Sequence, residues 1–169
     1  MNPLTKSLGR FPAGIWVVLA LLILGLIFGV AGQAISVISW DLARSLGLQE
    51  DNPQSEDPME QSLVPIEWGT AVTDLVLQTT FILLALYGIF RRHWIGLAAA
   101  TAQFTVYAYV GLQYYSQRYG IKVWGTGDWA HWQGLATFVL VSFALVGLIG
   151  LICLWSNRKY FEFGLHKGD

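Results

Sequence analysis

The sequence predicts an all-α integral membrane protein, a single bundle of four transmembrane helices over residues 1–169. Three observations predict it. Apolar residues make up 54% of the chain and charged residues only 12%. Soluble domains average about 25% charge, so a polar surface cannot be built from this composition. Four stretches are apolar over a length that spans a bilayer, which takes about 20 residues at 1.5 Å rise each. The basic residues also gather on one side of those stretches. Disorder is excluded by the abundance of aromatic and branched residues. A net charge of −1 leaves no basic footprint for nucleic acid.

The helices are expected near 13–38, 68–90, 94–116 and 131–155. Residues 11–40 carry no charge, and 94–117 carry none. Residues 75–90 become a span once 69–74 is included, and 129–157 contains only His131. In lipid the backbone must bond to itself, so these stretches are helices, and the short alternating strands of an outer-membrane barrel are absent. The uncharged run after Lys6 and Arg10 exceeds a signal peptide's apolar core, so helix 1 is expected to be retained.

Orientation follows from Lys and Arg. Lys6, Arg10, Arg91, Arg92, Arg158, Lys159 and Lys167 share one side, which puts both termini in the cytoplasm. Between helices 1 and 2 lies a long acidic outer loop. Segment 41–67 holds Asp41, Glu50, Asp51, Glu56, Asp57, Glu60 and Glu67 against Arg44 alone. Pro53, Pro58 and Pro65 punctuate it, so any helix inside it is expected to be short. Trp40, Trp68, Trp124, Trp129 and Trp132 mark the outer interface, and Trp16, Trp94 and Trp155 the inner one. The turn at 91–93 makes helices 2 and 3 an antiparallel hairpin. The reading is a multi-pass protein of a plasma (inner) or endoplasmic reticulum membrane.

Candidate chemistry concentrates on a few polar side chains in apolar surroundings. Asp74 lies six residues past Trp68, roughly 9 Å down the helix from the interface. A carboxylate at such depth costs about 2.5–3.5 kcal/mol and usually faces the bundle interior. Gln78 shares its face at i+4. Helix 3 carries a stripe of Gln103, Tyr107, Val110 and Tyr114 that is expected to face inward, because a tyrosine hydroxyl in lipid would lack a partner. The stripe would line a pocket or pack the core. Asp41, next to Trp40, is a second candidate carboxylate or an interfacial charge beside Arg44. Gly25, Gly29 and Gly32 form a small-residue stripe, for packing within the monomer or for a homodimer. One cysteine, Cys153, and no second His at ligand spacing leave no metal site and no expected cofactor.

Residues 40–110 resemble the EXPERA family, whose members include the emopamil-binding sterol isomerase and the sigma-2 receptor. The resemblance rests on Trp40-Asp41-Leu42, on Asp57-Pro58 with Gln61, and on Trp68 followed by Asp74-Leu75-Val76 and Gln78, with Tyr87 and Trp94 beyond. It implies a cavity inside the bundle, open sideways to the bilayer, that binds a sterol, a lipid or a cationic amphiphile. On this likeness Asp41 faces a ligand cation, Asp57 fixes loop 1, and Asp74 and Gln78 line the cavity. The chain departs from the family in a shorter loop 1 and in Asp74 where the receptor has Glu. The isomerase's catalytic His on helix 2 has no counterpart, and Phe138 and Ser142 stand nearest its polar residues on helix 4. The expected function is binding of a small apolar or cationic amphiphilic ligand. The alternatives are a sterol-isomerase-like enzyme, which needs two groups of separated pKa, and a non-catalytic accessory subunit. A transporter ranks last, for want of inverted repeats.

Overall fold

Helix α1 covers Ala13–Ile38 and is uncharged throughout. Between Gly25 and Val30 it loosens into π-helical turns and then returns to α geometry. It stops where Ser39 turns extended, and the Ser39 hydroxyl caps the next helix by accepting from the Leu42 amide at 3.3 Å. That helix, α2, is a short piece over Trp40–Ser45. Helices α3 (Pro58–Arg91), α4 (Trp94–Ile121) and α5 (Trp129–Ser156) follow. The computed structural model describes residues 3–49, 51–121 and 129–164, without the side chains of 114, 115, 117–140 and 162–164. The chain is mostly helical, and three helices are long and apolar enough to cross a membrane: Ala13–Ile38, Pro58–Arg91 and Trp94–Gln113. The described side chains of α5 add a shorter apolar run, Val141–Ser156.

The second long helix begins at Pro58 rather than near 68, so more than a third of the expected outer loop is part of it. Asp57 is its N-cap, with Oδ1 accepting from the Met59 amide at 2.9 Å. Pro58 occupies the first turn, where a missing N–H costs nothing. Pro65 lies inside the helix without ending it. It and Gln61, whose carbonyl it leaves free, are both exposed, so water can take the place of the lost bond. Replacing Asp57 by Ala should lower stability by about 1 kcal/mol while Asn retains most of it. Thermal unfolding of the two variants in one detergent checks this, and equal midpoints for Ala and wild type would remove the cap from the account.

What remains of the loop is folded rather than splayed. The Trp40 indole donates to the Asp51 carbonyl at 2.9 Å, and the Asn52 amide donates to Glu60 Oε1 at 2.8 Å. Asp51, Glu60 and Glu67 are buried, so part of the acidity read from this segment is turned inward.

Helices α3 and α4 form the expected antiparallel hairpin. Their turn closes with the His93 amide on the Gly88 carbonyl at 2.8 Å and the Arg92 amide on Ile89 at 3.2 Å, the double bond of a Schellman ending. Arg92 takes the left-handed position with φ of 54°, where glycine is usual and other residues cost roughly 1–2 kcal/mol. Helices α4 and α5 approach closely at Gly147 and Gly150, which lie against the Ala108 backbone and the Phe104 ring. The apolar core fills the end of the bundle near the N-terminus. Ile15 and Leu22 of α1, Ile82 and Ile89 of α3, Phe104 of α4 and Leu154 of α5 meet there, all fully buried.

Candidate functional site

Polarity enters the bundle just beyond that core. Gln103 and Tyr107 are one turn apart on α4 and both point inward. Gln103 is fully buried and Tyr107 is 3% exposed. On α3, Asp74 and Gln78 are likewise one turn apart, and Gln78 is buried. Gln33 of α1 donates from Nε2 to Asp74 Oδ2 at 3.4 Å, and the Gln78 carboxamide lies beside the same carboxylate. The Tyr107 hydroxyl sits near the Gln103 carboxamide and within Coulomb range of Asp74. Three helices thus converge on one cluster: Gln33, Asp74, Gln78, Gln103 and Tyr107.

Few of these polar atoms are paired. Gln33 Oε1, Gln78 Oε1, both amide atoms of Gln103, the Tyr107 hydroxyl and Thr101 Oγ1 are buried without a hydrogen-bond partner among the described residues. Each such atom costs about 1–3 kcal/mol. The set offers three carbonyl oxygens beside a carboxylate, and donors in the Gln103 amide and the two hydroxyls.

The loosened turns of α1 lie directly on this cluster. A Cβ at Gly25 would stand 1.9 Å from the Tyr107 hydroxyl, and one at Gly29 would stand 3.2 Å from Gln78 Oε1. Only glycine lets the α1 backbone come this near. The glycine stripe therefore packs inside the chain at these two positions. π-Helical turns occur often at functional sites, because they open the regular ladder of backbone bonds.

Beside the same glycines, α1 and α5 part to leave a groove of about 210 Å³. Leu21, Leu24 and Phe28 form one wall, Ser142, Phe143 and Val146 the other, and Tyr107 lies at the floor. Phe28 is 70% exposed at the mouth. The groove is apolar except near the tyrosine, and it is open on the side of the bundle. Its volume falls below the roughly 300–1,000 Å³ of enclosed ligand pockets. It would hold one end of a long molecule and leave the rest outside.

Of the side chains singled out from the sequence, Asp74, Gln78, Gln103 and Tyr107 come together in the cluster, and of these four Tyr107 also touches the groove. Asp41 is exposed on α2, and Asp57 caps α3. Neither lines the groove. The Tyr114 side chain lies outside the described residues, as do those of His131 and Phe138, and residues 122–128 and 165–169. Sequence reasoning passed over Gln33, although a carboxamide one turn beyond Gly29 in an otherwise apolar helix was a readable signal. It did name Ser142, which lines the groove.

Fold and site define the class: a helical protein with membrane-length apolar helices, an internal polar cluster, and a lateral groove that reaches it. No family model matches the chain, and no curated protein or solved structure matches it.

Proposed function

We propose that this protein is a four-span membrane protein that binds an amphiphile from the bilayer. It is a single domain with both termini in the cytoplasm and the folded acidic segment outside. The apolar part of the ligand lies in the groove between α1 and α5, and its polar end replaces the missing partners of Tyr107, Gln78 and Gln103. The observation that carries this reading is the row of unpaired buried polar atoms behind an apolar groove. Three unpaired carbonyl oxygens beside the Asp74 carboxylate favour a hydroxyl or a protonated amine as the polar end. Asp74 lies in the low-dielectric interior, where its charge acts on an amine more strongly than in water. The resemblance to the EXPERA family points the same way, to a sterol, a lipid or a cationic amphiphile. An isomerase would need a second titrating group beside Asp74, and in the cluster only Tyr107 is available, so binding is the better-supported reading.

The test is purification in a mild detergent, with bound amphiphiles identified by mass spectrometry. Wild type is compared with Val146→Trp, which fills the groove, and with Gln103→Leu, which removes two of the unpaired atoms. One enriched amphiphile, reduced at least about tenfold in both variants, is the expected result; a tenfold change corresponds to about 1.4 kcal/mol, within the range of one or two hydrogen bonds. Equal retention in all three proteins would sink the proposal.

A further inference from the structure

At the other end of the bundle, a second set of side chains is organised without any obvious internal purpose. Arg10 leaves a short hairpin, Ser7–Leu8 paired with Phe11–Pro12, and its guanidinium lies 5.3 Å from the Phe11 ring centre and 5.6 Å from that of Phe90. It also donates to the Phe90 carbonyl at 3.4 Å. Arg92 lies 5.2 Å over the Tyr160 ring, and the Tyr160 hydroxyl donates to the Ile89 carbonyl at 3.0 Å. Phe11 joins the two halves, with ring centres 5.9 Å from Phe90 and 6.0 Å from Tyr160. Two guanidiniums are therefore fixed on one aromatic platform at the end of α3.

Among the described residues neither has a carboxylate beside it. Segments 3–16, 86–97 and 153–161 contain no Asp or Glu; the next acid is Glu162. A guanidinium has five donors in a planar fork. Arg10 uses one of them on the protein, and stacking on a ring uses none. Arg92 adds a further point. It stands in the left-handed position that glycine would fill without strain. Arginine there carries a strain that glycine would not, and the strained position holds its guanidinium over Tyr160.

We propose that Arg10 and Arg92 form a binding site for the phosphate of an anionic lipid headgroup in the leaflet at this end. Exposed Phe90 and the apolar helix faces below it would meet the acyl chains of the same lipid, a combination that free phosphate cannot satisfy. A guanidinium binds a phosphodiester through two parallel bonds, and a lysine cannot.

The protein would be reconstituted in phosphatidylcholine vesicles, with or without a third of the lipid replaced by phosphatidylglycerol. Lipids retained through mild extraction are counted by native mass spectrometry, and thermal unfolding is followed in the same vesicles. In wild type, phosphatidylglycerol is retained preferentially and raises the unfolding midpoint. Each basic residue at an anionic surface contributes roughly fivefold, so Arg10→Gln with Arg92→Gly should cut the preference by roughly twenty-five-fold. That variant should unfold no earlier than wild type in phosphatidylcholine alone, since glycine suits residue 92. Neutralising Arg158 and Lys159 to Gln removes the same charge from the same end but neither guanidinium stacked on these rings, and should change the preference much less. The Arg10→Lys, Arg92→Lys pair should fall between. Equal losses in the two neutralised pairs would mean a diffuse surface field and overturn the site. So would full retention by the lysine pair, or an equal rise in midpoint on adding inorganic phosphate to phosphatidylcholine vesicles.

Discussion

Gly88→Ala should be among the most damaging single substitutions in this protein. A Cβ at Gly88 would stand 2.1 Å from the Gly96 nitrogen and 2.3 Å from its Cα. Both obstacles are backbone, so no rotamer change relieves them. The contact is mutual, because a Cβ at Gly96 would stand 2.5 Å from the Gly88 carbonyl carbon. Nor can the turn yield easily. It is closed by the bonds from His93 to Gly88 and from Arg92 to Ile89, and Gly96 itself donates to His93 at 2.9 Å. Overpacking a core costs about 1–3 kcal/mol when side chains can move. Here the two helices must separate, and a loss of at least about 3 kcal/mol is expected. Gly69→Ala is the control. Nothing lies within 4 Å of a Cβ there, so alanine should be neutral or stabilising by up to about 1 kcal/mol through its better helix propensity. Thermal unfolding of both variants in one detergent decides it, and similar midpoints would show that the hairpin is not packed through Gly88.

The difference between those two glycines also marks how far sequence reasoning reaches. Gly69 and Gly88 both lie in one apolar helix, and composition treats them alike. Only the crossing of α3 over α4 separates them. Lengths and apolar runs made the long helices legible, because a bilayer-spanning helix must announce itself in some twenty consecutive residues. The inward stripe of Gln103 and Tyr107 was legible for a related reason: the two are one turn apart, so local geometry alone ties them together. Pro65 was misleading, since its effect depends on whether the freed Gln61 carbonyl meets water, which is a tertiary fact. The groove was not legible at all. It exists because α1 and α5, more than a hundred residues apart in the chain, diverge beside two glycines. No periodicity within either helix encodes that gap. Asp41 and Asp57 drew attention through their type and through the family likeness, but the fold spends Asp57 on a helix cap.

Tyr107→Phe should move stability and ligand retention in opposite directions. The Tyr107 hydroxyl is buried and unpaired among the described residues, and it faces Gly25 so closely that a Cβ there would stand 1.9 Å away. Removing an unpaired buried hydroxyl recovers its desolvation cost, so the variant stripped of bound amphiphile should be more stable by about 1 kcal/mol. The ligand loses its partner in the floor of the groove, so retention should fall about tenfold. Gly25→Ala alone should cost about 1–3 kcal/mol, because the methyl group displaces the hydroxyl. Combined with Tyr107→Phe it should cost less than the sum, with a coupling of about 0.5–3 kcal/mol, since the nearest remaining ring atom is 3.0 Å away. The cycle separates two roles that a single variant confounds. If the hydroxyl served only to pack α1 against α4, phenylalanine would be destabilising and retention would follow stability downward. A variant that gains stability while losing its amphiphile instead places the cost of the unpaired hydroxyl at the binding step, where the ligand alone relieves it.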